Sequence, residues 1–530
     1  MSPSIRALPT ATLVLVVAAG AQAQDAREAS VAPPPAFTDP ARAAKLRSAF
    51  PAIDQLMRDF AARSHVPGIA YGIVIDGALA HVGVSGMRDV GAGIPVDTAT
   101  VFRIASMTKS FTAASILQLR DAGKLSLDDP VERYIPELAT LRYPTSDSPK
   151  LTIRHLLSHS EGFPEDNPWG DQQLSATDAE MGRLMRAGIP FSTAPGTAYE
   201  YSNFGFAILG RVVSRVSGMP YAQYVRARIL IPLGMTVTTL EAGSVPASRL
   251  AHGYRRQDDR WLEEAQLPDG AFGSMGGMLT SASDLGRWVG FLLDAWPPRD
   301  GNEGTVLSRA SRREMQQVWR YNGASAVKSA AGILALSAGG YGYGLGVRQT
   351  CRFRISVSHT GGLPGFGSLM RWLPEYGVGI VAMGNLTYTG WGNVAEQSLE
   401  LLAGTGGLEP RQPQPAPVLL QLQGQVTRLV NRWDDALADS VAAMNLYRDE
   451  SKARRKVAIE RVRLQAGDRC APEGAFVAEN ALRGSWRLRC ATGDLRVTVT
   501  LAPTTPARVQ YLDVAPLGRE ESLAPPPACR

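Results

Sequence analysis

The sequence is poor in the features that mark several functional classes. Beyond its N-terminal segment, no stretch of the 530 residues approaches the run of about 20 apolar residues needed to cross a bilayer. There is no G-x-S-x-G, so the nucleophile elbow of the α/β-hydrolases is missing. There is no H-E-x-x-H: His155 and His159 stand four apart in "LTIRHLLSHSEGFP", but the glutamate and an evident third ligand are lacking. A metal is therefore not expected, and the two histidines read as structural. Neither zinc-knuckle spacing nor an aromatic-interleaved basic stripe is present, and no internal repeat stands out. The formal charge of +6 arises from 55 basic residues scattered among 49 acidic ones. Only "SKARRK" (451–456) is a basic cluster, and it reads as a solvated face, which sets nucleic acid aside as a partner.

What is present is an ordinary globular composition, 45% hydrophobic and 20% charged, in a chain longer than one core usually supports. Two domains are expected. At the N-terminus, Arg6 precedes a short apolar segment (11–19), and "AQA" (21–23) offers small residues for cleavage. Residues 1–23 thus read as a secretory signal peptide, placing the mature protein in the periplasm or outside the cell. Cleavage before Gln24 would leave no cysteine at the new N-terminus, so a lipid anchor is not expected. Export also allows the four cysteines to oxidise. Cys470 and Cys490 flank one loop and are the first choice for a disulfide; Cys351 and Cys529 can pair or stay free, and four cysteines allow three connectivities.

Helical periodicity runs through Leu46, Phe50, Ile53, Met57 and Phe60, and two strand-like pieces follow around Gly77. Helices and Gly/Pro loops dominate 151–292; strand signals return from 340 to 385, and a helix follows from about Val394 to Leu402. Strands at both ends with an all-helical insert between them predict an α+β class: an antiparallel sheet flanked by helices, its strands drawn from opposite ends of one domain. That domain is placed at 24–405 and the densest Pro/Gly/Gln run at 406–417. A small C-terminal α+β domain of unassigned role covers 418–530, with a long amphipathic helix through Leu419, Trp433 and Met444 followed by alternating strands.

The chemistry centres on "FRIASMTKSFTAAS", where Ser106 and Lys109 stand three apart at the head of an apolar helix. Residues at this spacing share one face, so the ammonium lies within reach of the serine oxygen. The helix N-terminus favours an alkoxide, and burial drives lysine toward its neutral, base-competent form. The spacing alone is common, and a second copy, Ser325 to Lys328, exists. Two further segments give the first copy its company. "PGTAYEYSNFGFAILG" sets Tyr201 and Asn203 on either side of Ser202, and "SVSHTGGLPGFGS" puts His359, Thr360 and Gly361 at a strand end before a Gly-rich turn. Gly361 and Gly362 are expected to let a substrate approach the strand closely.

With S-x-x-K at 106–109, Y-x-N at 201–203 and His-Thr-Gly at 359–361, the sequence resembles the serine β-lactamase and penicillin-binding superfamily, particularly its class C-like esterase and D-amino-acid peptidase branch. The resemblance covers about 46–405, including "GGMLTSASDLGRW", and leaves the Ser325 copy incidental. It implies Ser106 as nucleophile and Lys109 as its activating partner. Tyr201 would shuttle protons, and Asn203 would orient Lys109 or bind substrate. The N–H groups of Ser106 and Gly362 would form the oxyanion hole, with no metal or cofactor. Whether Lys109 or Tyr201 is the base stays open. His359 departs from the lysine usual in β-lactamases; a histidine titrating near neutrality offers a weaker, pH-dependent hold on a substrate carboxylate. Ester or peptide hydrolysis through an acyl-enzyme is therefore expected on a small-molecule or peptide substrate, cell-wall peptides included. The alternatives are a true β-lactamase, a D-alanyl-D-alanine carboxypeptidase, or a binder of penicillin or cell-wall peptides that does not turn over. Loop residues Asn167, Trp169, Phe272 and Trp391 are candidates for the cleft lining.

Overall fold

A computed structural model describes residues 32–328 and 334–524; the leader and Cys529 lie outside the described residues. The chain divides into two compact units, Phe37–Arg411 and a second one from Gln412 onward that includes 32–36. No helix among the described residues is long and apolar enough to cross a membrane.

The larger unit is built on nine strands, β1 (Gly68–Ile75), β2 (Ala78–Asp89), β3 (Ile94–Pro95), β4 (Arg320–Lys328), β5 (Leu334–Tyr341), β6 (Gly346–Thr350), β7 (Ser356–Leu363), β8 (Phe366–Leu373) and β9 (Val378–Gly384). They form one antiparallel sheet in the order β3-β2-β1-β9-β8-β7-β6-β5-β4. The principal helices are α1 (Phe50–Arg63), α2 (Thr108–Asp121), α3 (Asn203–Ser217), α4 (Ala282–Leu293) and α5 (Gly392–Gly404). The central strands β1 and β9 are buried along their whole length, because helices cover both faces of the sheet. Strand alternation then feeds two cores. Ile69, Tyr71 and Ile73 pack with Ile53 and Met57 of α1 and Leu399 and Leu402 of α5. Ala70 and Val74 face Phe111 of α2, Phe206 of α3 and Trp288 of α4. The α+β class with a large antiparallel sheet flanked by helices is thus the observed one.

Three details differ from the sequence reading. The first helical segment breaks at Ser48 and Ala49, where Pro51 in the opening turn of α1 starts a new helix. The insert carries, besides its helices, a hairpin of Gly253–Gln257 with Arg260–Glu264. Strand β4 was not expected, since its Ala, Ser and Gly residues carry little strand propensity. The incidental Ser325 lies in β4, where residues three apart face opposite sides, and its hydroxyl pairs with that of Ser337 at 2.8 Å.

The C-terminal unit is a separate small α+β domain. Helices Pro417–Asn431 and Lys452–Ala466 accompany an antiparallel sheet of Ala471–Asn480, Arg483–Arg489, Asp494–Leu501 and Val509–Leu517. The expected long helix is interrupted: Asp434 caps a new one, its Oδ1 accepting the Leu437 N–H at 2.7 Å, and Met444 is exposed rather than core. Cys470 and Cys490 form a disulfide with a sequence separation of 20. Closing a loop of that size removes about 3 kcal/mol of denatured-state entropy. Replacing both cysteines by serine should lower the stability of the C-terminal unit by about that amount, read as a drop in its urea midpoint, with little effect on the larger unit's own transition.

Candidate active site

Ser106 sits in a single 3₁₀ turn (Ala105–Met107) that runs into α2. The residue before it, Ala105, is buried with φ +47°, a left-handed conformation that costs a non-glycine residue on the order of 1 kcal/mol. The neighbouring backbone is anchored on both sides: the Ile104 N–H donates to the Met278 carbonyl at 3.0 Å, and Ser368 Oγ of β8 donates to the Ile104 carbonyl at 2.9 Å. The serine is thereby aimed out of the core toward the cleft rather than along a regular helix face.

Lys109, one turn on, is fully buried at 0% exposure. Its Nζ lies 3.0 Å from Ser106 Oγ, 2.6 Å from Asn203 Oδ1 and 2.8 Å from the Met275 carbonyl. Two of these partners can only accept, whereas the serine hydroxyl can accept or donate. An ammonium donates to all three. A neutral amine keeps two donations and turns its lone pair to the Ser106 hydroxyl, which is the geometry of a general base. Burial pushes this amine down to about 7, against the pull of the Asp171 and Asp166 carboxylates, which favour the charged form.

Tyr201 brings its hydroxyl to Ser106 from the other side, while burial holds the phenol well above its ordinary range. Asn203 opens α3, whose N-terminus is capped by Asp166 through the N–H groups of Asn203 at 2.6 Å and Phe204 at 2.8 Å. His159 supports Tyr201 from behind, its ring 4.2 Å away and its Nδ1 accepting the Ser202 N–H at 3.2 Å. His155 is the reciprocal partner of Thr152 in a helix capping box. Glu161 is buried beside His159, its carboxyl without a hydrogen-bond partner; burial pushes its pKa well above the ordinary carboxylate value, which favours the neutral form.

His359 on β7 donates from Nδ1 to the Thr360 carbonyl at 2.6 Å, and with the ring neutral its Nε2 accepts from Tyr341 Oη at 2.7 Å. Burial, with the nearby Lys109 charge, pushes it down to about 3, so the ring is neutral at every working pH. This corrects the expectation of a histidine titrating near neutrality. Both glycines are also required by close packing: a Cβ at Gly361 would lie 2.1 Å from the Ile104 carbonyl oxygen, and one at Gly362 would lie 2.4 Å from Tyr388 Cδ1, while Gly362 itself lines the cleft.

These groups line one cleft of about 730 Å³, in the size range of small-molecule sites, which takes in Ser106, Tyr201, His359, Thr360 and Gly362. Lys109 and Gly361 lie beneath its surface. Of the loop candidates only Asn167 reaches the lining, where its Oδ1 accepts from Asn203 Nδ2 at 3.0 Å. Trp169 meets Phe272 edge-on at 5.7 Å, and Trp391 is buried against Phe60 with its Nε1 donating to the Gly367 carbonyl. Sequence reasoning missed Asp166, Asp171, the Met275 carbonyl, Tyr341, Arg348 and Tyr388. Among them only Asp166 carries a local signal, an acidic residue in a Pro-containing loop, and the helix it caps begins 37 positions later.

Comparison with known proteins identifies the fold and the family. The solved penicillin-binding protein homologue from Pyrococcus abyssi, described as octameric, matches with a TM-score of 0.56 and 22% identity, over 88% of this chain and 98% of its own. A penicillin-binding protein from Bacillus halodurans matches at 0.51 and 24% identity, over 67% of this chain and 99% of its own. At these identities the likeness is one of fold. Among curated relatives, Protein flp of Staphylococcus aureus (strain COL) is 27% identical over 63% of this chain and 62% of its own length. Penicillin-binding protein 4* of Bacillus subtilis (strain 168) is 27% identical over 52% of this chain and 58% of its own. The chain thus spans about three fifths of the length of these relatives. The family described as Beta-lactamase matches residues 53–405, more than half of the sequence and every residue of the cleft, and the chain belongs to that family, within the superfamily it shares with penicillin-binding proteins.

Proposed function

We propose that the protein is an exported serine hydrolase of penicillin-binding type that opens an amide bond through an acyl-enzyme on Ser106, with D-alanyl cell-wall peptides and β-lactams as its substrate class. The observation that carries this reading is the fully buried Lys109 amine at 3.0 Å from Ser106 Oγ. In the proposed step the Ser106 hydroxyl gives its proton to neutral Lys109 as Oγ bonds to the substrate carbonyl carbon. Tyr201 then passes a proton to the departing nitrogen as the C–N bond breaks. Water reverses the sequence and frees Ser106. The N–H groups of Ser106 and Gly362 receive the oxyanion. Lys109 is preferred as base because burial lowers its pKa and raises that of Tyr201.

Relatives bearing the penicillin-binding name support the substrate class. So does Arg348 of β6, an exposed cation on the cleft lining that makes no ion pair among the described residues. With His359 neutral, Arg348 is the group placed to meet a substrate carboxylate. The neutral His359 also keeps a second reading in view, hydrolysis of an ester that carries no carboxylate. In domain terms the proposal places a leader at 1–23, the hydrolase at 24–405, a linker at 406–417 and an accessory domain beyond.

Three measurements follow from these assignments. Intact-mass spectrometry of the mature chain with a penicillin should show an adduct that Ser106→Ala abolishes; an unchanged adduct on the variant sinks the mechanism. The acid limb of the acylation rate should lie near pH 7, since protonating Lys109 removes the base, and His359 should add none between pH 5 and 8. Asp171→Asn deletes an anion that favours the ammonium and should move that limb to lower pH, Asp166 being the other carboxylate acting on Lys109. A limb still climbing above pH 9 would assign the base to Tyr201. Finally, Arg348→Gln should cost about tenfold in kcat/KM for a D-alanyl peptide and leave p-nitrophenyl acetate unaffected; equal rates on the peptide favour the ester reading.

A further inference from the structure

One wall of the cleft belongs to none of the groups assigned above. Tyr388 lies between β9 and α5, in the segment 386–390. It has φ +53°, a left-handed conformation rare for an aromatic residue, and is 53% exposed. Its backbone is fixed on both sides: the Tyr388 N–H donates to the Phe366 carbonyl at 3.1 Å, and the preceding Thr387 N–H donates to the Tyr254 carbonyl at 2.8 Å. Its ring occupies the space a side chain would need at Gly362, 2.4 Å from the position a Cβ would take. Its hydroxyl donates to Oδ2 of the buried Asp171 at 2.9 Å, across the cleft from the sheet to the helical insert. Backbone, ring and hydroxyl are therefore all held, and the exposed aromatic face is presented to the cleft in one orientation.

The orientation of a bound substrate decides what this face meets. With the carbonyl oxygen on the Gly362 N–H, the carbonyl carbon carries two substituents. The leaving group has to accept a proton from Tyr201, so it lies toward the end walled by Tyr201, His359 and Tyr341. The acyl substituent is then directed away from these groups, and Tyr388, seated over Gly362 and bonded to Asp171, is a lining group left to meet it.

We propose that Tyr388 is a specificity-determining residue, its ring held over Gly362 by the fixed backbone of its segment so that it limits the bulk of the acyl group the enzyme accepts. This rests on the reading of Ser106 and Gly362 given above. A fixed wall of this kind selects short, unbranched acyl groups, such as a single small amino-acid residue, and discriminates little among leaving groups. It also explains why a strained conformation is kept at an exposed position where a looser loop would serve packing equally well.

The test compares p-nitrophenyl acetate with p-nitrophenyl phenylacetate, which share a leaving group and differ in the acyl substituent. Tyr388→Asn and Tyr388→Gly remove the ring and both suit a left-handed backbone, so folding is preserved and is checked by thermal melting. In both variants the phenylacetate-to-acetate ratio of kcat/KM should rise by at least about tenfold, the discrimination a pocket of fixed size supplies. Tyr388→Phe keeps the ring and should leave the ratio within about twofold of the wild type on the same grounds. An unchanged ratio in the Asn and Gly variants overturns the proposal, as does an equal rise in the Phe variant. Intact mass separates the levels of failure: no Ser106 adduct from either ester in the wild type overturns the acyl-enzyme reading and this one with it, whereas adducts with an unmoved ratio overturn this one alone.

Discussion

The arrangement of the larger unit depends on one buried amine. An ammonium removed from water costs several kcal/mol unless oxygen atoms replace its hydration. At Lys109 they come from three separate segments: Ser106 beside it, Asn203 at the head of α3, and the carbonyl of Met275 in the short helix Gly273–Gly276. None is a carboxylate at bonding distance; Asp166 and Asp171 act through space only. A direct carboxylate partner would hold the lysine charged and useless as a base. Full exposure would do the same by hydration. The site lies between, and the packing of α2 against α3 is what sets it there.

The surroundings keep that balance by staying uncharged. Burial holds His159 and His359 neutral and favours the protonated forms of Glu161, Tyr201 and Tyr341. Around Ser106 the charges are thus few: the lysine, and the two aspartates of the loop that caps α3. Each aspartate has a second duty that fixes its position, Asp166 in the helix cap and Asp171 in the bond to Tyr388. Structure and electrostatics therefore use the same side chains, and a substitution made for one disturbs the other.

The legible part of the site is the part written at short spacing. Ser106 and Lys109 meet because residues three apart share a helix face, and Tyr201 and Asn203 because they straddle a helix N-cap. The antiparallel sheet with strands from both ends was legible because β1, β2 and the strands from Gly346 to Gly384 are apolar or alternating. What was not legible is made by backbone atoms or by distant partners. The Met275 carbonyl has no side chain to announce it, and the Tyr388–Asp171 bond joins residues 217 positions apart. The neutrality of His359 was hidden for the same reason, since it follows from burial by elements the local sequence does not name. Strand β4 was hidden by weak propensity, its place on the sheet edge being set by pairing with β5.

The central pair of the sheet has a consequence for the order of events in the life of the chain. β1 hydrogen-bonds to β9 from Ile69 opposite Gly384 to Ile75 opposite Val378, so the first strand of the larger unit waits for its last. Contacts of such long range are slow to form and come late. Until β8 and β9 have emerged from the ribosome, the support of Ser368 beneath Ile104 does not exist, and the serine has no fixed aim. The fixed aim of Ser106 is in this sense an all-or-none property of the finished unit: a nascent chain that stops short of β8 carries every motif and lacks the bond that sets the serine.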